Sequence, residues 1–330
     1  MNSSLKYYFC AKIKNKQMLT RRHIRAKVMQ SLYAFHQGSK DSMQAEEKFL
    51  KKSTEEMYNL FLLDFELLVS IRDYADDYFK IAKKKFLATE EEKNPNKKFI
   101  NNQLLKRISD SAAISNLVED RKLTHWKRDD EYPKLIWDKI LESDLYADYI
   151  LAETSSFKED KEFIVDVFKL IIAPNEDLYD YYEDQNLTWI DDFPIVNTTF
   201  LKFLQKQKES DEVITVPRLY KNVEDENFAK ELFTKTLLAN DQLTEITKNK
   251  TPNWDQDRIA DIDSILIKMA LCEFLKFPSI PVRVTINEYL ELAKEYSTPK
   301  SSTFINGVLD TVSKEYQTNG KINKIGRGLM

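Results

Sequence analysis

A chain of 330 residues is long enough to bury a core without covalent staples, and its two cysteines, Cys10 and Cys272, are too few and too far apart for a disulfide framework or a thiolate metal site. Its five glycines (Gly38, Gly307, Gly320, Gly326, Gly328) lie near the two ends, so residues 39–306 have none for sheet turns, bulges or a phosphate-cradling loop, which favours helix. The net charge of −4 conceals an asymmetry: nine of the 50 basic residues and no acidic residue fall in 1–40, leaving 41 basic against 54 acidic residues in the rest.

The opening residues, MNSSLKYYFCAKIKNK, are basic but hold no apolar run of signal-peptide length, and no later stretch approaches the roughly 18 apolar residues of a membrane span. The expectation is a cytoplasmic protein with no membrane partner. From Thr20, a capping residue, Ile24, Val28, Leu32 and Phe35 recur at helical spacing up to Gly38. Another face of this helix carries Arg21, Arg22 and Arg25, followed by Lys27. Cations in a first turn oppose the helix macrodipole, so the cluster is unfavourable unless an anion such as a phosphate sits among it.

Residues 45–87 predict two helical segments, the second rich in aromatics and ending in the basic run Lys83, Lys84, Lys85. The polar stretch 88–98 reads as a loop. Helical patterning resumes over 99–123, 135–154 and 163–172. A second polar connector, 205–212, leads into VITVPRLY, extended toward Pro217. Thereafter Phe228, Leu232, Phe233, Leu237 and Leu238 predict one helix, and Ile259, Ile262, Leu266, Met269, Ala270 and Phe274 another. Pro281 is placed to open a helix with Val284, Tyr289 and Leu292 on its core side, and Pro299 ends it. The last helix carries Phe304, Val308, Leu309 and Val312. Gly307 within it costs about 1 kcal/mol relative to Ala, which suggests close approach by a neighbour.

Shifting 162–204 by 65 residues places Phe163 on Phe228, Phe168 on Phe233, Asn175 on Asn240, Leu178 on Leu243, Trp189 on Trp254, Asp192 on Asp257 and Leu201 on Leu266. Two explanations stand, a degenerate internal duplication and the coincidences that helical spacing produces unaided.

Two segments, TRRHIRAKVMQSLYAFHQ at 20–37 and RIADIDSILIKMALCEFLKFPSIPVRVTINEYLELAKEYSTPKSSTFINGVLD at 258–310, resemble the NusB family of bacterial antitermination factors. In the first, arginines precede Gln30, Leu32 and Tyr33; in the second, A-x-x-E, I-P, INE, ELAK and F-I-NGVLD follow in the family's order. The resemblance implies an all-α, NusB-like helical bundle enlarged by a further helical segment. It divides the chain into a basic extension at 1–17, an arginine-rich first helix at 18–40, an insertion at 41–220, a helical core at 221–316 and a flexible basic tail at 317–330. It also implies a non-enzymatic factor without cofactor or metal. Such a factor binds single-stranded boxA-type RNA of ribosomal leaders together with the ribosomal protein NusE, in an antitermination complex with RNA polymerase. By position, Arg21, Arg22, Arg25, Lys27, Gln30, Tyr33, Lys300 and Phe304 become RNA contacts, and Asp263 faces the protein partner. His23 stands where a third arginine is common, Lys300 where an acid is, and the 41–220 segment is far longer than the family requires. Met18 is an alternative start.

The competing functional reading is a helical protein-interaction scaffold whose RNA binding is reduced or lost; a fused RNA-modifying enzyme is disfavoured because no methyl-donor or nucleotide loop is present. Other candidates have plainer explanations. Asn287 is expected to satisfy buried backbone groups and Glu288 to pair on a helix surface. His23, His36 and His125 share no metal-ligand spacing. Adjacent acids such as Asp76 and Asp77, or Asp191 and Asp192, read as surface charge. The tryptophans at 126, 137, 189 and 254 read as core anchors.

Overall fold

The computed structural model describes residues 17–38, 42–152, 156–250 and 260–329, and their regular structure is helical, apart from one isolated parallel bridge between Gln17 and Arg218. In chain order the helices are α1 (Arg21–Gln37), α2 (Met43–Ala82), α3 (Glu90–Lys93), α4 (Gln103–Ser109), α5 (Ala112–Asp120), α6 (His125–Arg128), α7 (Glu131–Leu141) and α8 (Asp144–Leu151). There follow α9 (Phe157–Val167, continued by a π-helical turn, Phe168–Ile172), α10 (Glu176–Gln185), α11 (Trp189–Gln205), α12 (Val223–Leu238), α13 (Asn240–Lys250), α14 (Asp261–Lys276), α15 (Val282–Tyr296) and α16 (Ser301–Thr318). The described residues form two compact units, 17–54 with 218–329 (the core unit) and 55–217 (the insert unit). The division falls inside α2, so its first turns belong with the core unit, whereas the sequence expectation gave the whole of 41–220 to the insertion. Among the described residues no helix is long and apolar enough to cross a membrane.

In the core unit, α14 is the axis. Its Ile265, Leu266, Ile267, Met269, Ala270, Leu271, Cys272 and Phe274 are all buried, which a helix apolar on every side requires. Around it pack α1, α12, α13, α15 and α16. The backbone N–H groups of Met18 and Leu19 donate to the carbonyls of Arg218 and Leu219 at 2.7 and 3.0 Å, which ties the entry of α1 to the stretch after Pro217. Thr20 caps α1 as its sequence predicts, its hydroxyl accepting from the N–H of His23.

The insert unit is built on aromatics. Phe65 of α2 meets Phe200 and Phe203 of α11 with ring centroids 4.7 and 5.0 Å apart. Trp126, Trp137 and Trp189 are buried as expected; the indole N–H of Trp126 donates to the Leu63 carbonyl and that of Trp189 to the Glu56 carbonyl. Trp254 lies outside the described residues, as do Ile259, Asp257, Lys40 and the lysines of residues 1–16.

Several expectations change. Residues 45–82 form one helix rather than two, because the hydroxyls of Ser53 and Thr54 bond back to the Leu50 carbonyl and so sit inside the helix without interrupting it. Leu238 and Val284 face solvent, and the buried side of α15 is Thr285, Tyr289, Leu292 and Ala293. Asn287 is exposed and serves no buried backbone. A Cβ built on Gly307 meets nothing within 4 Å, so no neighbour approaches there. The tail is packed rather than free: Ile325 N–H donates to the Pro278 carbonyl, and the Lys324 ammonium donates to the carbonyls of Glu273 and Phe277 at the end of α14.

The shifted segments share helix order as well as residues. Displaced by 65 residues, α9 with its π-helical turn falls on α12 and α10 falls on α13. Phe163, Phe168 and Leu178 are buried like Phe228, Phe233 and Leu243. Asn175 caps α10 while Asn240 opens α13. Within their own units α9 and α10 pack on α11, as α12 and α13 pack on α14. Among the pairs whose residues are both described, Leu201 departs, being partly exposed where Leu266 is buried.

Candidate functional site

No acid stands in the first turn of α1, so the arginines there must find their counter-charges elsewhere. They find them on three helices distant in sequence. Arg21 Nε donates to Asp225 Oδ1 of α12 at 2.8 Å. Arg22 donates through Nε and Nη2 to both carboxylate oxygens of Glu288 on α15, each at 3.0 Å, with Glu291 3.9 Å from Nη1. Arg25 donates through Nε and Nη2 to Glu273 of α14 at 2.6 and 2.9 Å. Two-pronged pairing of this kind matches the planar guanidinium to the carboxylate and fixes orientation as well as charge.

The Arg25 and Glu273 side chains are 2 % and 0 % exposed. Glu273 also accepts from the Tyr289 hydroxyl at 2.8 Å and the Thr285 hydroxyl at 3.1 Å, so its oxygens are fully used. Burial works against the charge on Arg25, but the Glu273 carboxylate outweighs it and holds the guanidinium above its ordinary pKa. Burial, reinforced by Glu273, pushes the Tyr289 phenol well up. The hydrogen bond to Glu288 raises Arg22 as well. The Phe228 ring receives both Arg21 and Arg25, whose guanidinium carbons lie 5.0 and 5.2 Å from its centroid.

These pairs correct part of the expected contact set. Arg25 is not open to a polyanion in this structure, because it is 2 % exposed, with Nε and Nη2 bonded to Glu273 and Nη1 3.8 Å from Glu288. Lys27 is 5 % exposed and faces inward as well. Asp263 is not a free partner-facing acid: it is buried and accepts from the Ser297 hydroxyl at 2.6 Å, and Ser297 in turn contacts Ser301 at the start of α16. The anion that relieves the arginine-rich first turn is the protein's own set of carboxylates.

The remaining candidates are accessible, and two polar contacts gather most of them. Gln37 at the end of α1 donates to Asp261 in the first turn of α14 at 2.7 Å, while Asp263 in that same turn holds the Ser297–Ser301 corner. The last turns of α1 and the first turn of α16 therefore both lie beside the first turn of α14, at one end of the core unit. Tyr33, 39 % exposed, and Gln30, half-buried, come from the first; exposed Lys300 and half-buried Phe304 come from the second. Arg21 and Arg22 stand at the opposite end of α1, about 16 Å away along a helix rising 1.5 Å per residue. Sequence reasoning missed Asp261, Ser297 and Glu273; only Glu273 left a signal, as a lone carboxylate within the apolar run MALCEFL. Among the described residues no group of three or more His, Cys, Asp or Glu is placed to hold a metal, and burial pushes the Cys272 thiol up to about 11.

The model of the NusB family matches residues 197–314, from the last turns of α11 to α16. The chain is 44% identical over 104 residues to the transcription antitermination protein NusB of Salinibacter ruber, which spans 32% of this chain and 65% of that protein. It is 45% identical over 87 residues to the protein of the same name from Chloroherpeton thalassium, over 26% of this chain and 41% of that one. With its namesake from Finegoldia magna it shares 43% identity over 93 residues, 28% of this chain and 68% of that protein. The match thus spans less than two thirds of the first two relatives. No solved structure matches. Although α1 lies outside the matched residues, it packs on α12 and α14, which lie within them. By its matched helices this chain belongs to the NusB family.

Proposed function

We propose that this chain is a non-enzymatic, RNA-binding transcription antitermination factor of the cytoplasm. Its surface for unpaired bases is the end of the core unit where Gln30, Tyr33, Lys300 and Phe304 gather, and Arg21 and Arg22 are its contacts to the RNA backbone. Tyr33 and Phe304 offer rings for stacking, Gln30 offers amide hydrogen bonds, and Lys300 offers charge where the strand passes. Arg25 and Lys27 hold α1 in place and drop out of the contact set. The finer reading is a boxA-like ribosomal leader RNA bound jointly with the ribosomal protein NusE, in a complex with RNA polymerase. The observation that carries the proposal is the 43% identity to a NusB protein over 68% of that protein's length, beside a family match at 197–314 that takes in α12 and α14, the helices on which α1 packs.

The test is fluorescence anisotropy with a boxA-like RNA and a scrambled control, each with and without NusE. Tighter binding of the boxA-like RNA, sharpened by the partner, is the expected result. Equal affinity for both RNAs under both conditions removes the sequence-specific claim. One observation favours the second reading, an interaction scaffold with weakened RNA binding: Arg21, Arg22 and Arg25 each already face a carboxylate. That reading predicts that Arg21→Gln with Arg22→Gln leaves antitermination in cells intact.

A further inference from the structure

The end of α2 carries apolar surface that the fold does not use. Phe86 is 100% exposed, Leu87 85% and Ile81 67%, and they sit around the basic run Lys83–Lys85, where the chain leaves the helix through successive tight turns. An isolated exposed leucine needs no explanation; a phenylalanine with no buried surface beside two more exposed aliphatics does.

The charges around it are partly committed. Lys80 pairs with Asp76 and Asp77, Lys85 with Glu92, and Lys93 with Glu90. Lys83 and Lys84 have no ion pair among the described residues. Both complement the negative end of the α2 dipole, but that role gives no reason for the ring and the leucine beside them.

We propose that this corner of the insert unit is a contact for single-stranded RNA, separate from the core-unit surface, in which Lys83 and Lys84 meet phosphates and Phe86 stacks on an unpaired base. A cationic pair next to a free aromatic face is the chemistry that binds single strands without reading sequence, since every base offers a π-face and every nucleotide a phosphate. The competing ligand, an anionic lipid surface, fits less well, because three apolar side chains on a turn are a small anchor compared with the long apolar face of an interfacial helix. The inference rests on RNA being this protein's ligand class, but not on boxA recognition or on any residue of the core unit.

The experiment measures binding of a short labelled oligouridylate to the full chain over a salt series. The variants are Phe86→Ala and the pair Lys83→Gln with Lys84→Gln, each made in the native sequence and in one carrying Arg21→Gln and Arg22→Gln. Phe86→Ala is expected to weaken binding about tenfold with the salt slope unchanged. The lysine pair is expected to flatten the slope by about 1.4, two single-strand phosphate contacts at about 0.7 each. Photocrosslinking with 4-thiouridine should map to Phe86 or Leu87. Because Phe86 has no packing to lose, Phe86→Ala should keep the native melting temperature.

The proposal is overturned if neither variant changes oligouridylate affinity, if the native chain does not bind it, or if Phe86→Ala changes only sedimentation with anionic vesicles. Equal binding of boxA-like and scrambled RNA alongside a Phe86 effect defeats the specific core-unit reading and leaves this one standing. A boxA preference together with oligouridylate affinity unchanged by either variant does the reverse.

Discussion

Glu273 sits within α14 with no exposed surface, and four groups satisfy its oxygens there: two N–H donors of Arg25 and the hydroxyls of Tyr289 and Thr285. A carboxylate taken out of water is tolerated only with such complete pairing. Removing one partner is then worse than removing both. Arg25→Ala strands the carboxylate and should destabilise the protein by about 3–5 kcal/mol, whereas Arg25→Met combined with Glu273→Leu should recover much of that loss. Arg21→Ala, whose guanidinium is half-buried but whose partner Asp225 is buried, should cost less than Arg25→Ala, about 1–3 kcal/mol. Thermal unfolding of the three variants checks the order; similar losses for Arg21→Ala and Arg25→Ala would mean the buried pair carries no special weight. At this scale the sequence was half legible. A lone glutamate in an apolar run announces a buried charge, but its partner lies 248 residues away, and no local spacing connects them.

Helices were legible wherever a capping residue and an apolar stripe agree, as at Thr20 for α1 and Pro281 for α15. The length of α2 was not, because side chains that often end helices can also bond back into one, as Ser53 and Thr54 do. The two glycines Gly307 and Gly328 show why residue type alone does not give the packing. Gly307 lies in α16 with open space where its Cβ would be, so Gly307→Ala should stabilise the protein by about 1 kcal/mol through helix propensity and a less disordered unfolded chain. At Gly328 a Cβ would come within 2.0 Å of the Pro278 carbonyl oxygen, a backbone atom that cannot turn away. Gly328→Ala should therefore lower stability and loosen the packed tail. Urea titration distinguishes them by opposite shifts of the midpoint; a loss at Gly307 would reveal a contact absent from this structure.

For the molecule as a whole, the concentration of positive charge before residue 41 was plain in the sequence, and its meaning was not. Read linearly, arginines without nearby acids ask for an external anion. Folding instead brings Asp225, Glu288 and Glu273 onto them from helices between 200 and 270 residues away, so the net field at α1 is much weaker than the sequence suggests. RNA that binds through Arg21 and Arg22 must displace Asp225 and Glu288, exchanging one anion for another and releasing fewer counterions than two free arginines would. Asp225→Asn with Glu288→Gln keeps the shapes and removes the competitors. That variant should bind leader RNA more tightly at low salt, and its log affinity should fall more steeply with log salt, by up to about 1.4 for two released arginines on a single strand. Its affinity should approach that of the native protein as salt rises, because the added attraction is screened. An unchanged slope would show that neither arginine touches the RNA backbone, and the case for the core-unit surface would then rest on Gln30, Tyr33, Lys300 and Phe304.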